Sequence, residues 1–467
     1  MAEAQHDLII IGSGPGGYVA AIRAGQLGIN TCVVERDPFL GGTCLHRGCI
    51  PTKALLHTAD LLQQVRDGAR FGVVAAEFRL DLKAAHDHKR KVVTKNSKGV
   101  EFLFRKNKVT WVQGVAKLVG GHTVELAKPD GTTERRAAKH VILATGSRCG
   151  DLPFLAADGD RMVNSDQILE LAEVPTRLLI LGAGAVGMEF ASIFARFGSQ
   201  VTVVELLDRV LPLEDPEVSA EVEKAFRRQG VIVHTAARLE EARVEGAVVR
   251  ARVVTAKGET LQIEADRLLL AVGRVANFKG IGLEVTKVQI ERGRIVVDEF
   301  CRTHEDGVYA IGDLLNAPWL AHVASMQGIL VVEHIAGLEP KPINYNQVPS
   351  CTYCWPEVGT IGLTEPQARE QGYEVRVGKF PFSAISKSAI IGETTGFVKI
   401  VAEAKYGEIL GVHIVGPHAT ELIAEAEVAL RGELTAEELV HTIHAHPTLH
   451  EAIHEAAEAV YGAAIHI

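Results

Sequence analysis

At 467 residues, the chain is too long for one ordinary hydrophobic core, and three or four domains are expected. Its composition, 47% hydrophobic and 23% charged, is that of a globular protein and excludes a disordered one. The net charge of −9, with both signs mixed throughout, excludes a nucleic-acid footprint, and no apolar run reaches the length of a membrane span.

The chain opens Met1-Ala2-Glu3-Ala4-Gln5-His6, with neither the apolar centre of a signal peptide nor an Arg/Ser-rich transit character. A cytoplasmic, bacterial location is therefore expected, with an organelle form lacking its leader as the alternative. The seven cysteines, at 32, 44, 49, 149, 301, 351 and 354, are odd in number and scattered, unlike a secreted disulfide framework. A strand begins at once with Asp7-Leu8-Ile9-Ile10-Ile11 and runs into Gly12-Ser13-Gly14-Pro15-Gly16-Gly17. An Ala-rich helical stretch to about Leu27 and the strand Thr31-Cys32-Val33-Val34-Glu35 follow. Gly12, Gly14 and Gly17 permit a tight turn, approach of a pyrophosphate to backbone N–H groups, and close helix–strand packing. Glu35 then stands where a carboxylate accepts from a ribose hydroxyl.

The next segment is Gly41-Gly42-Thr43-Cys44-Leu45-His46-Arg47-Gly48-Cys49-Ile50-Pro51-Thr52-Lys53. In an undistorted helix, Cα atoms five positions apart are roughly 8.6 Å from each other. A disulfide needs less than about 7 Å. Gly48 and Pro51 are residue types that let the backbone leave ideal geometry, so Cys44 and Cys49 can close into a small ring. Such a ring removes little chain entropy, and redox chemistry explains it better than stability.

The same nucleotide-binding pattern recurs. The strand Leu178–Leu181 leads into Gly182-Ala183-Gly184-Ala185-Val186-Gly187, a helix to about Phe197 and the strand Val201-Thr202-Val203-Val204-Glu205. Gly12 and Gly182, Gly14 and Gly184, Gly17 and Gly187, Gly28 and Gly198, Glu35 and Glu205 are each offset by 170 residues. One glycine motif decides little, but two between strands, each closed by a glutamate, define two dinucleotide sites. Glu205 would repel a 2′-phosphate, so the second site reads as NAD, and the first, beside the cysteine pair, suits FAD.

The C-terminal region carries His444-Ala445-His446-Pro447-Thr448-Leu449-His450-Glu451-Ala452-Ile453-His454. His446 and Glu451 form a candidate acid–base pair, since a carboxylate on one imidazole nitrogen fixes the tautomer and raises basicity at the other. His450-Glu451-Ala452-Ile453-His454 is also a literal HExxH, the pattern of a zinc hydrolase. Only 13 residues follow His454, and Ala457 occupies the glycine position of the extended pattern, so no metal is expected and His450 and His454 read as solvated helix residues.

With two dinucleotide sites and a CxxxxC pair between them, the chain resembles the flavin-dependent pyridine nucleotide–disulfide oxidoreductases over essentially its full length. The resemblance implies an α/β fold with two Rossmann-like dinucleotide-binding domains and an α+β C-terminal dimerisation domain. It divides the chain into an FAD-binding domain with the redox disulfide at 1–148, an NAD-binding domain at 149–274, a central domain completing the FAD site at 275–345 and an interface domain at 346–467. It implies FAD contacts at Gly42, Thr43, Lys53 and Ala116, at Thr145 and Gly146 in Ala144-Thr145-Gly146-Ser147, at Asp313, and at Leu320, Ala321 and His322. NAD contacts are implied at Glu189, Leu239 and Gly273.

Within that family the cysteine segment, the C-terminal histidine segment and Glu205 resemble the branch that oxidises protein-bound dihydrolipoamide to lipoamide and reduces NAD to NADH. The resemblance gives Cys44 the exchange with substrate, Cys49 the flavin side, His446 the role of base and Glu451 that of its orienting partner. It also implies a homodimer whose tail reaches the other subunit's disulfide, and a lipoyl-bearing acyltransferase or glycine-cleavage H protein as partner. His46, Arg47, Thr52, Ala276 and His450, which replaces a serine, depart from the branch's pattern. So do Cys351 and Cys354, read as buried structural cysteines in a strand-like stretch. A reductase of another low-molecular-weight disulfide is the alternative. A redox-silent docking scaffold would tolerate loss of Cys44, Cys49 or His446, and all three are present.

Overall fold

The computed structural model describes residues 5–120 and 122–467; the residues Met1–Ala4, part of the leaderless reading, lie outside them. The chain forms two compact units, each assembled from three stretches. The first takes the chain up to Ala54 with Lys83–Gly150 and Gly273–Tyr345; the second takes Leu55–Leu82, Asp151–Val272 and Asn346–Ile467. The fold is mixed α/β, with two parallel, Rossmann-like sheets and an antiparallel C-terminal sheet under helices.

In the first unit, the strand His6–Ile11 lies between Thr31–Glu35 and Thr133–Leu143, parallel to both. Thr110–Gln113 and Val308–Ala310 extend this parallel core at its two sides. Leu8, Ile9, Ile10, Cys32 and Val33 are fully buried, as expected of parallel strands covered on both faces. The first half of Thr133–Leu143 instead pairs antiparallel with Thr123–Ala127, which pairs with Val115–Leu118.

In the second unit, a five-stranded parallel sheet has the spatial order Ile232–His234, Gln200–Val204, Arg177–Leu181, Arg267–Leu270, Met162–Asn164. This is the order of a mononucleotide-binding half, with the glycine-rich turn at the end of its central strand. The five-stranded antiparallel sheet runs Ser350–Thr352, Glu357–Gly362, Ile409–Gly416, Phe397–Glu403, Val375–Pro381. Its register places Ser350, Thr360, His413, Lys399 and Lys379 in one row across the five strands.

An acidic segment of the same unit meets that row. Glu214 accepts from the Thr360 hydroxyl at 2.7 Å and the Ser350 hydroxyl at 3.3 Å. Lys399 donates to Asp215 at 3.1 Å, Glu217 at 2.6 Å and Glu365 at 3.0 Å. Both Lys399 and Asp215 are buried, so removing Lys399 would leave the Asp215 carboxylate buried without its cation. Burial raises the Glu214 carboxyl above the ordinary glutamate value, against the hydrogen bonds that lower it.

Candidate active site

The first glycine turn forms because Gly12 adopts φ +105°, a region closed to most side chains, at the end of its strand. Its amide donates to Val34 at 2.8 Å, and the Ala144 amide donates to Ile11 at 2.8 Å. A side chain on Gly17 would overlap the Gly12 carbonyl, which lets the helix Pro15–Gln26 start hard against the turn. Among the described residues, none fills the space in front of Gly14 and no side chain caps this 12-residue helix. Its first N–H groups and positive dipole end are therefore available to an anion. Glu35, buried at the end of its strand, accepts from the Ser13 amide at 2.8 Å, the Ser13 hydroxyl at 2.7 Å and the Asp37 amide at 3.0 Å.

The second turn repeats this geometry. Gly182 has φ +102°, its amide donates to Val204 at 2.8 Å, and a side chain on Gly187 would overlap its carbonyl. The helix Ala185–Phe197 is likewise uncapped behind an open Gly184. Glu205 accepts from the Ala183 amide at 2.6 Å and the Leu207 amide at 2.8 Å. Both turns fit a dinucleotide: each has an open helix N-terminus for pyrophosphate and a fixed carboxylate for a ribose hydroxyl.

From Glu35 the first unit continues directly to the cysteines. Gly41 donates to the Ser13 carbonyl at 3.1 Å, and a Cβ on Gly42 would lie 2.5 Å from the Gly14 Cα. The segment is thus pressed onto the glycine turn. Cys44 lies in the helix Gly42–Arg47, and Cys49 opens the 19-residue helix Cys49–Asp67. The two are joined in a disulfide with a Cα–Cα separation of 4.7 Å. Gly48 supplies the break between the helices, and a side chain there would crowd Thr43. Pro51 does not contribute to the break. It occupies the first turn of the second helix, where a missing N–H costs nothing. Lys53 follows Cys49 by one turn on that helix and is half-buried, as is Thr43 on the preceding one.

The departures near the cysteines have local partners. His46 Nε2 donates to the Leu40 carbonyl at 2.8 Å, its ring packs on Phe39, and Arg47 pairs with Asp37. Burial, foremost, holds His46 below the ordinary histidine value. Thr52 donates its hydroxyl to the Gly48 carbonyl at 2.7 Å. These contacts fix the loop between Glu35 and the disulfide.

The remaining first-site candidates divide. The Ser147 hydroxyl donates to Asp313 and accepts from Arg274 Nε at 2.7 Å. Thr145 donates to the Asn277 carbonyl at 2.6 Å, and the Asn277 amide donates to Gly146 at 2.8 Å. Leu320 precedes the helix Ala321–Ile335, with Ala321 and His322 in its first turn. Ala116 is buried in the strand Val115–Leu118. In the second unit, Glu189 is buried and accepts from the Tyr353 amide at 3.0 Å, and Leu239 is buried beside a bulge in Arg238–Glu245. Gly273 falls in the first unit, where its carbonyl accepts from Gly150 at 3.0 Å. Sequence reasoning missed Ser13, Asn277 and the linkage of Arg274 and Ser147 to Asp313, itself an expected FAD contact. Ser13 lies inside the glycine motif at a position the motif leaves open, and the other two carry no short-range pattern.

The histidine pair belongs to the second unit. His446 Nδ1 and Glu451 Oε1 are 2.8 Å apart, and the other Glu451 oxygen accepts from the Thr448 amide at 2.9 Å. Burial acts to raise the Glu451 carboxyl, but the hydrogen bonds from His446 and Thr448 outweigh it and hold the group below the ordinary glutamate value. With Nδ1 held by the carboxylate, Nε2 of His446 is the basic nitrogen, and the side chain is 71% exposed. Glu451 is thereby engaged by His446, and His450 bonds to Glu425 at 2.8 Å. Among the described residues no group of three or more His, Cys, Asp or Glu is arranged to hold a metal ion.

Cys354 is buried, and burial raises its thiol well above the ordinary cysteine value; Cys351 is only half-buried. The strand there ends at Thr352, so Cys354 lies in a bend rather than in the strand-like stretch expected.

The family pattern described as pyridine nucleotide-disulphide oxidoreductase matches residues 6–328, and the dimerisation domain of that family matches 348–457. A dihydrolipoyl dehydrogenase of Bacillus subtilis is 44% identical over 471 residues, covering 99% of each chain. A mitochondrial dihydrolipoyl dehydrogenase of Pisum sativum is 42% identical, over 99% of this chain and 93% of its own. Among solved structures, LpdA of Mycobacterium tuberculosis superposes with a TM-score of 0.89 at 29% identity, covering 97% of this chain and 99% of that one. The HOCl-induced flavoprotein disulfide reductase RclA of Escherichia coli gives 0.87 at 25% identity, over 98% of this chain and 99% of its own.

Proposed function

This chain belongs to the pyridine nucleotide-disulphide oxidoreductase family, and we infer from that premise that it carries out the reaction of its dihydrolipoyl dehydrogenase relatives. It is an FAD- and NAD-linked enzyme that oxidises a dihydrolipoyl dithiol to the cyclic disulfide and reduces NAD to NADH. The observation that carries this reading is the Cys44–Cys49 disulfide, set two residues after a glycine that packs onto the first nucleotide turn.

In the proposed chemistry, His446 Nε2 removes a proton from one substrate thiol, because only the thiolate is nucleophilic. The thiolate forms a bond to Cys44 Sγ, the Cys44–Cys49 bond breaks, and Cys49 leaves as a thiolate. The N-terminus of the helix Cys49–Asp67 and the Lys53 ammonium one turn along favour that negative charge. The second substrate thiol, deprotonated in turn, attacks the sulfur bound to Cys44; the cyclic disulfide forms and Cys44 is released. Two electrons then reside on the cysteine pair and two protons have left the substrate. Bound FAD supplies the two-electron relay from the cysteine pair to NAD.

Gly12, Gly14, Gly17 and Glu35 would hold the FAD pyrophosphate and ribose, with Gly42, Thr43, Lys53, Ala116, Thr145, Gly146, Asp313, Leu320, Ala321 and His322 as further contacts. Gly182, Gly184, Gly187 and Glu205 would hold NAD, with Glu189, Leu239 and Gly273 beside it. The four-domain division at 148, 274 and 345 belongs to the same reading. The exposure of His446, beside Ile443 at 98% exposure and within the matched dimerisation domain, supports a homodimer in which each tail serves the other chain's disulfide. A lipoyl-bearing acyltransferase or glycine-cleavage H protein is the proposed partner, and the bacterial cytoplasm the proposed location.

The test is NADH formation from dihydrolipoamide and NAD by purified enzyme. Cys44→Ser abolishes it while FAD remains bound. Turnover by Cys44→Ser at the wild-type rate would overturn the assignment.

A further inference from the structure

The loop that presents His446 is tied to the rest of its unit by a second carboxylate. Glu425, on the helix Ala419–Arg431, is flanked by two histidines: His444 Nε2 is 2.7 Å from Oε1, and His450 Nδ1 is 2.8 Å from Oε2. The other nitrogen of His444, Nδ1, is 2.9 Å from the Thr442 carbonyl. The His444 side chain is only 8% exposed. One carboxylate therefore grips the chain on both sides of His446, two residues before it and four after.

Counting donors constrains the protons. A backbone carbonyl only accepts, and so does an ionised carboxylate. Both His444 nitrogens face such groups, so either the ring carries two protons or Glu425 carries one. The second His–carboxylate contact, from His450, adds a donor to the opposite oxygen. His454 on the helix Glu451–Val460 is also close, its ring centroid 5.5 Å from that of His444, and its buried Nδ1 has no hydrogen-bond partner among the described residues. Glu451 is committed to His446 and Thr448.

We propose that His444, Glu425 and His450 are positioning residues: a hydrogen-bonded brace that fixes the 442–450 loop and thereby aims His446 at the substrate thiol. The proposal rests on His446 acting as the base. Glu425→Gln keeps the brace while removing its charge. Its amide oxygen accepts from His450 Nδ1–H, its NH2 donates to a neutral His444 Nε2, and His444 Nδ1–H keeps the Thr442 carbonyl. The same contacts then close without the extra proton.

The experiment measures kcat/KM for free dihydrolipoamide against pH in the wild type, Glu425→Ala, Glu425→Gln, His450→Ser and His446→Ala. NADH-dependent ferricyanide reduction, which bypasses the cysteine pair, checks that each variant is folded and loaded. Glu425→Ala is expected to lose about 10- to 100-fold in kcat/KM, the scale of a misaimed catalytic group, with ferricyanide reduction retained. Glu425→Gln, which keeps a contact to each histidine, retains kcat/KM close to the wild type. His450→Ser, which leaves the His444 bond in place, loses less than Glu425→Ala. Wild-type kcat/KM in Glu425→Ala, or a loss in Glu425→Gln as large as that in Glu425→Ala, overturns the brace. Full turnover in His446→Ala overturns instead the base assignment on which the brace depends.

Discussion

In the first cradle Gly12 donates to Val34 and Gly41 to the Ser13 carbonyl; in the second Gly182 donates to Val204 and Leu211 to the Ala183 carbonyl. Each pair keeps the 170-residue offset, which therefore extends past the motif into the loop that closes it. The differences begin at single positions. Ser13 gives Glu35 a third donor, whereas Ala183 leaves Glu205 with two backbone amides. Beyond the loop, the first copy delivers Gly42 onto Gly14 and then the disulfide. The second delivers Glu214, Asp215 and Glu217 onto the polar row of the antiparallel sheet. One backbone plan thus serves two tasks: its turn has the shape that fits a nucleotide, and its exit loop leads either to the disulfide or to an anchor on the antiparallel sheet.

The comparison breaks most sharply at the third glycines. Gly17→Ala and Gly187→Ala both drive a methyl into the carbonyl of the turn's first glycine. Gly17→Ala is expected to yield protein without flavin, seen as loss of the visible absorbance. Gly187→Ala is expected to keep its flavin and its reduction by dihydrolipoamide, while kcat/KM for NAD falls about 100-fold. Loss of flavin from Gly187→Ala would show that the two cradles do not divide the cofactors as argued.

A smaller effect sharpens the comparison at the carboxylates. Glu205→Ala removes a ribose acceptor and the repulsion of a 2′-phosphate. It is expected to raise KM for NAD about tenfold and to narrow the preference over NADP, as steady-state assays with each nucleotide would read. An unchanged ratio between the two nucleotides would remove Glu205 from the selectivity.

Much of this was legible because the signals are local. Glycines at fixed spacing between apolar strands, and a carboxylate at the end of the second strand, announce a βαβ turn wherever they stand. The strands observed at His6–Ile11 and Arg177–Leu181 begin one residue earlier than the sequence pattern indicates, because backbone pairing outruns the apolar run. The disulfide was legible as a closure that a continuous helix forbids, but Gly48 alone makes the break. Pro51 reads as a breaker only until its place in a helix's first turn is known. Long-range partners left no trace. Glu425 stands on a helix 19 residues before the loop residue His444, and Asn277 stands 132 residues from Thr145. Such contacts depend on how loops return to one another, which no periodicity encodes. His46 and Arg47, which depart from the branch's pattern, make their contacts to Leu40, Phe39 and Asp37, within the loop before the cysteines.

The central claim is that electrons pass from a dithiol through Cys44 and Cys49 toward NAD. Anaerobic titration of the purified flavoprotein with dihydrolipoamide, followed by NAD, tests it most directly. The account predicts a long-wavelength band from the Cys49 thiolate against the oxidised flavin after one equivalent of dithiol, two new titratable thiols per chain, and loss of both with NADH formation on adding NAD. Flavin reduction with no new thiols, or no band and no NADH, would contradict it.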